Sequence, residues 1–148
     1  MKKMNFSVSI NAPKEKVWDI LWSDASYRKW AAAFTEGSHA VTDNWKQGSK
    51  VLFLDGKARG MVSTIIENKP NQYMSFTHLG EVKDGIEDTT SESAKQWSGA
   101  TENYTLAETG NGIDLTVEME GAIPGEFKDY ILNTWPKALE KVKELAEE

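Results

Sequence analysis

Cysteine is absent from the 148 residues, which removes disulfides, thiolate metal sites and cysteine nucleophiles together. Histidine is almost as scarce. His39 and His78 are the two in the chain, and without a ligand spacing they do not suggest a zinc site. Long apolar runs are missing as well: no stretch approaches the roughly 20 residues that cross a bilayer. The opening Met1-Lys2-Lys3-Met4-Asn5-Phe6-Ser7-Val8-Ser9 alternates polar and apolar residues where a secretion signal needs a continuous apolar core. Positive charge is also in deficit, with 17 Lys and Arg against 23 Asp and Glu for a net charge of −6. With no basic patch, such a surface repels phosphate backbones and anionic membranes. These absences predict a soluble, cytoplasmic protein with no nucleic-acid partner, no integral membrane contact, no metal and no cofactor.

What the chain does contain is patterned. Met4 to Ile10 alternates as a strand, with Met4, Phe6, Val8 and Ile10 on one face. Asn11-Ala12-Pro13 then opens a helix, Asn11 as the expected cap and Pro13 in the first turn, where a missing N–H costs nothing. Val17, Ile20 and Leu21 form its apolar stripe, with Trp18 and Trp22 beside it. A second short helix, capped by Asp24 or Ser26, carries Tyr27, Trp30 and Ala31 and ends near Phe34. Strands and turns follow. Val51 to Leu54, Gly60 to Glu67, Gln72 to Leu79, Gln96 to Ala107 and Ile113 to Glu120 read as β segments, with turns at Asp55-Gly56, Lys69-Pro70-Asn71 and Thr109-Gly110-Asn111-Gly112. The last strand alternates cleanly, Ile113, Leu115, Val117 and Met119 against Asp114, Thr116, Glu118 and Glu120, which is one dry face and one wet face. After Ile123-Pro124-Gly125 a long amphipathic helix runs to the end. Phe127, Ile131, Trp135, Ala138, Val142 and Leu145 share a face, with Leu132 and Leu139 beside them. Pro136 should kink that helix or divide it.

The segment Glu81 to Lys95 differs from its surroundings. It holds Glu81, Asp84, Glu87, Asp88 and Glu92, with Val82 and Ile86 as its large apolar residues. It reads as a solvated, mobile hairpin loop, with a lid over a cavity mouth as the alternative. No internal repeat or interdomain linker appears, so residues 1–148 form one domain.

Four stretches carry a resemblance to a known superfamily. They are Ile10-Asn11-Ala12-Pro13-Lys14-Glu15-Lys16-Val17-Trp18, Tyr27-Arg28-Lys29-Trp30, the run from Gly60-Met61-Val62 through Asn68-Lys69-Pro70 to Ser75-Phe76-Thr77, and the hairpin from Glu102-Asn103-Tyr104-Thr105-Leu106 to Leu115-Thr116-Val117. In this order the chain resembles the START-like, or SRPBCC, superfamily of the birch pollen allergen and polyketide cyclases. Within it the chain is most similar to the branch related to the ATPase activator of the ninety-kilodalton heat-shock chaperone. The acidic segment 81–95 and Pro136 depart from that pattern. The resemblance implies an α+β helix-grip fold: a curved antiparallel sheet of about six to seven strands wrapped around a long C-terminal helix, with two short helices after strand one. Superfamily members include carriers, cyclases and co-chaperones, so the fold does not fix the activity.

Given that fold, a cavity between sheet and C-terminal helix should be lined by Trp30, Phe34, Met74, Phe76, His78, Trp97, Glu102, Tyr104, Phe127, Ile131 and Trp135. The competing reading of these aromatics is ordinary core, since aromatic stripes mostly pack against one another. His78, in phase with Met74 and Phe76, is either a hydrogen-bonded structural histidine, a group that orients a ligand or handles a proton, or an exposed residue at a strand end. His39 should lie at the surface. Glu102 alternates in phase with Tyr104 and Leu106. If it faces inward it needs a partner such as Tyr104, Arg59 or water; otherwise it faces solvent at the sheet edge. Gly110-Asn111-Gly112 is a turn rather than a phosphate cradle, because no helix follows it, and Asp84 to Asp88 lacks the oxygen pattern of a calcium loop. No serine stands in a nucleophile-elbow sequence.

The first functional reading is therefore a binding domain for a hydrophobic or amphipathic small molecule, lipid included, in a monomer or weak dimer. The alternatives are an enzyme of the polyketide cyclase or hydrolase type using His78 or Glu102, and a co-chaperone-like protein with a chaperone partner.

Overall fold

The computed structural model describes residues 2–110, 112–121 and 125–148, with the side chains of Lys2 and Glu126 left aside. The expected turn residue Asn111 and the Ile123-Pro124 lead into the last helix lie outside these. Strand β1 (Lys2–Ile10) is followed by helices α1 (Lys14–Trp22) and α2 (Asp24–Ala31). Then come β2 (His39–Val41), β3 (Lys50–Leu54), β4 (Gly60–Lys69), β5 (Tyr73–Lys83), β6 (Ile86–Asp88), α3 (Glu92–Lys95), β7 (Thr101–Thr109), β8 (Gly112–Gly121) and α4 (Gly125–Glu147). The strands form one antiparallel sheet in the order β1-β8-β7-β5-β4-β3-β2, with β6 paired to β5. This is the helix-grip α+β fold; the strands beyond the expected count are the three-residue β2 and β6.

Alternation builds the inner layer. In β8, Ile113, Leu115, Val117 and Met119 are all buried, and they pack in one core with Met4 and Ile10 of β1 and with Ile131, Trp135, Ala138, Leu139, Val142 and Leu145 of α4. The first two helices close the other side of that core through Val17, Leu21, Trp22, Tyr27 and Trp30. Each large aliphatic side chain among these contributes about 1.5–3 kcal/mol on full burial, so the apolar stripe of α4 is held chiefly by packing.

Several local expectations change in the folded chain. Asn11 does not cap α1: Pro13 occupies the N-cap position, and the Asn11 N–H donates to Glu147 Oε2 at 2.8 Å, tying the first turn to the end of α4. Likewise Ser23, rather than Asp24 or Ser26, stands at the N-cap of α2. Helix α4 continues through Pro136 instead of dividing; the proline takes the helical donor from the Leu132 carbonyl, and both residues lie on the exposed face. Leu132 lies off the buried face.

The segment 81–95 is the largest correction. The expected hairpin is there, but it is made of regular strands and is followed by a helical turn. Strand β5 runs on to Lys83, β6 pairs with it, and α3 packs against β5 with Val82 and Ala94 both buried. Ser91 caps α3 through its hydroxyl, which accepts from the Ala94 N–H, and Asp88 accepts from the N–H groups of Thr90 and Ser91. These local bonds give a polar stretch its shape without a large apolar content.

Candidate functional site

Between the sheet, α2 and the first half of α4 lies a cavity of about 650 Å³. Its walls are aromatic. Trp135 of α4 stands at the centre, with ring centroids 4.9 Å from Phe34, 5.9 Å from Tyr104 and 6.2 Å from Trp30. Two of the indole N–H groups on these walls are spent inside the protein. Trp30 Nε1 donates to the Leu21 carbonyl and Trp135 Nε1 to the Met119 sulfur, so both rings present apolar surface to the hollow. At the mouth, Trp97 packs on Phe127 at 5.4 Å, and Phe127 and Tyr130 are exposed.

One polar cluster faces this apolar space. Glu102 sits on β7, an interior strand between β8 and β5, in register with Met119 on one side and Phe76 on the other. Its inward direction therefore meets the cavity rather than solvent. Glu102 Oε2 accepts the hydroxyl of Tyr104, and Oε1 lies 3.6 Å from His78 Nε2. On the far side of the imidazole, His78 Nδ1 is 2.6 Å from the hydroxyl of Ser63, which is fully buried. We assign the imidazole hydrogen to Nε2, the side that faces the accepting carboxylate of Glu102; with that tautomer Nδ1 accepts from the Ser63 hydroxyl. Although serine, histidine and glutamate stand in line, Ser63 has no access to the cavity. It orients the ring and cannot serve as a nucleophile.

Burial and the neighbouring carboxylate act on the two phenols. Tyr104 is pushed well above the usual tyrosine value, first by desolvation and then by the Glu102 charge, Tyr27 and its hydrogen bond to Glu102. Tyr27, also on the cavity wall, is raised by desolvation first and by Glu102 second. Both therefore stay neutral at neutral pH, and Tyr104 keeps the hydrogen it donates to Glu102.

Toward the mouth the charges are matched among themselves. Asp55 pairs with Arg59 at 3.3 Å, and its carboxyl lies below the ordinary aspartate value, chiefly because it accepts from the Lys57 N–H, with the Arg59 N–H and guanidinium adding to the effect. Glu81 pairs with Lys83 at 3.4 Å and accepts from the Ser93 hydroxyl at 2.7 Å. Glu81 reaches this rim because of a break in register at Leu79. His78 pairs with Ser63 and Glu81 with Met61, two β4 residues that share a face, whereas an uninterrupted β5 would turn Glu81 away from His78.

Of the residues singled out by the sequence, Trp30, Phe34, His78, Trp97, Glu102, Tyr104, Phe127, Ile131 and Trp135 line the cavity. Met74 and Phe76 do not: both are fully buried in the core beneath it, Phe76 against Phe53, Trp22 and Tyr104. Arg59, one of the proposed partners of Glu102, is paired with Asp55 instead. His39, expected at the surface, is half-buried at the mouth, where its Nδ1 lies 2.9 Å from the Gly37 carbonyl. Tyr27, Phe53 and Met119 are further lining residues. Met119 was detectable from the alternation of β8; Ser63 and Glu81 were not, since their place depends on the register of β4 against β5. Among the described residues no cluster of His, Asp and Glu could hold a metal ion, and no helix is long and apolar enough to cross a membrane.

The architecture recurs in solved structures at low sequence identity. The Aha1 dimer from Colwellia psychrerythraea superposes with a TM-score of 0.74 at 17% identity, covering 99% of this chain and 97% of that one. A protein from Chromobacterium violaceum gives 0.70 at 19%, covering 100% and 99%, and CalU16 from Micromonospora echinospora gives 0.67 at 13%, covering 97% and 75%. No curated protein matches the chain in sequence. Residues 11–147 match the model of the family described as activator of Hsp90 ATPase homolog 1-like protein.

Proposed function

Because this chain belongs to the activator of Hsp90 ATPase homolog 1-like family, whose fold supports ligand binding in general terms, we propose that it is a binding domain that holds one hydrophobic or amphipathic small molecule, lipids included, between its sheet and α4. The observation that carries this reading is the cavity of about 650 Å³, inside the roughly 300–1,000 Å³ typical of small-molecule sites. Its walls are apolar rings and its floor holds one donor and acceptor cluster, the composition expected where apolar area supplies affinity and a few polar groups set orientation. Trp30, Phe34, His78, Trp97, Glu102, Tyr104, Phe127, Ile131 and Trp135 are the proposed contacts.

Native mass spectrometry after incubation with hydrophobic probes and a lipid extract tests it. The expected result is a one-to-one adduct that weakens or disappears in Ala31→Leu, since Ala31 is buried on the cavity wall and a larger side chain there takes up the space. No adduct with any probe, together with unchanged tryptophan fluorescence, overturns the reading.

A second reading is favoured by one feature: His78 and Glu102 face the cavity as a pair. On that reading the chain is an enzyme of the polyketide cyclase or hydrolase type in which the pair moves a proton, a contribution of about 10²–10⁴-fold. Full turnover by His78→Gln with an identified substrate excludes it. A chaperone partner rests on the family description alone, and co-purification with a purified ninety-kilodalton chaperone tests it.

A further inference from the structure

The floor of the cavity presents a mismatched pair. His78 Nε2 and Glu102 Oε1 both face the hollow at a separation of 3.6 Å, too long for a direct hydrogen bond. The other atoms of these two side chains have partners: Nδ1 has Ser63 and Oε2 has Tyr104. Left over are one N–H that must donate and one oxygen that must accept, side by side at the end of an apolar slot. A single oxygen atom that accepts from Nε2 and donates to Oε1 completes both.

Resting on the cavity-binding reading above, we propose that the ligand's anchoring group is a hydroxyl on a flat, unsaturated ring, seated between His78 and Glu102. A hydroxyl both accepts and donates, and it reproduces the two bonds a water makes in that position, so entry costs no hydrogen bond. A ligand carboxylate has no hydrogen to give and meets the Glu102 charge at close range in an apolar setting, which disfavours it. An ammonium has no lone pair for the Nε2 hydrogen. The rings of Tyr27, Trp30 and Trp135 supply flat apolar walls for the body of the molecule. The mouth exerts no countervailing charge preference, because Asp55 with Arg59 and Glu81 with Lys83 are already paired.

A matched probe set tests this at pH 7: naphthalene, 2-naphthol, 2-naphthoate and 2-naphthylmethylammonium, titrated into the full chain with tryptophan fluorescence as the readout. The expected order places 2-naphthol first, about tenfold tighter than naphthalene for two net hydrogen bonds, with both charged probes weaker than 2-naphthol. In Glu102→Gln the amide oxygen keeps the Tyr104 hydroxyl and the amide nitrogen turns a second donor to the cavity. The advantage of 2-naphthol over naphthalene should then vanish and 2-naphthoate should gain. Equal binding of naphthalene and 2-naphthol by the unmodified chain, or tighter binding of either charged probe, overturns the hydroxyl anchor while leaving the cavity reading intact. Absence of any binding, naphthalene included, removes the cavity reading and the anchor with it. The order in the unmodified chain decides the matter even if the variant fails to fold.

Discussion

Glu102 shows how much a single position can carry. Its phase with Tyr104 and Leu106 is written in the sequence, yet whether a carboxylate so placed meets water or a cavity depends on which strands flank it. Because β7 lies between β8 and β5, Glu102 is enclosed: it accepts from the Tyr104 hydroxyl and leaves Oε1 beside His78 without a direct bond. The two phenols near it yield a pH prediction. Tyr27 and Tyr104 have raised values in the folded state, so the folded protein binds more protons than the unfolded chain above about pH 10, the ordinary tyrosine value. Stability is then fully present below that pH and declines as pH rises beyond it. Absorbance at 295 nm during alkaline titration should show these tyrosines ionising together with unfolding, and Tyr27→Phe should flatten the decline. Ser63 offers a second test at this scale. Ser63→Ala leaves Nδ1 of a buried histidine without a donor, which should cost about 1–3 kcal/mol in chemical denaturation and let the imidazole change tautomer, visible in its nitrogen chemical shifts.

Among the elements, β5 and α4 depart furthest from their sequence patterns. Alternation predicts Met74, Phe76 and His78 on one face, and they are indeed all buried. Beyond Leu79 the register shift reverses the parity, and the segment that reads as a polar loop becomes the end of β5, β6 and α3. Gly80 makes this possible: a Cβ there would lie 2.2 Å from the Asp88 carbonyl oxygen and 2.9 Å from the Thr89 Cα. Gly80→Ala should therefore cost roughly 1–3 kcal/mol and detach β6 from β5, raising amide exchange across residues 86–88. In α4 the proline is a local penalty overridden by packing. Both turns beside it bury large side chains, Ile131 and Trp135 before and Leu139 and Val142 after, and their burial outweighs one missing hydrogen bond. Since Pro136 itself is exposed, Pro136→Ala should add up to about 3 kcal/mol of stability and raise the denaturation midpoint with it.

At the scale of the whole molecule, a ligand that enters the cavity binds the folded chain alone. It should stabilise the folded chain by about 2.7 kcal/mol at a hundred times its dissociation constant, raising the thermal midpoint with concentration, and the gain should be lost in Ala31→Leu. A compound that merely adsorbs to the exposed rings of Phe127 and Tyr130 gives no such dependence on Ala31. The sequence by itself determined the order of elements, the dry faces of β1, β8 and α4, and the aromatic character of whatever lies between them, because period and alternation are properties of neighbours along the chain. It did not determine the hollow. That space is the difference between the surface of a curved sheet and the surface of a helix laid across it, and only residues distant in sequence set it. The same reason governs the polar floor: Ser63, His78, Glu102 and Tyr104 come from three strands, and strand register, not spacing, brings the hydrogen-bonding atoms of His78 and Glu102 to 3.6 Å.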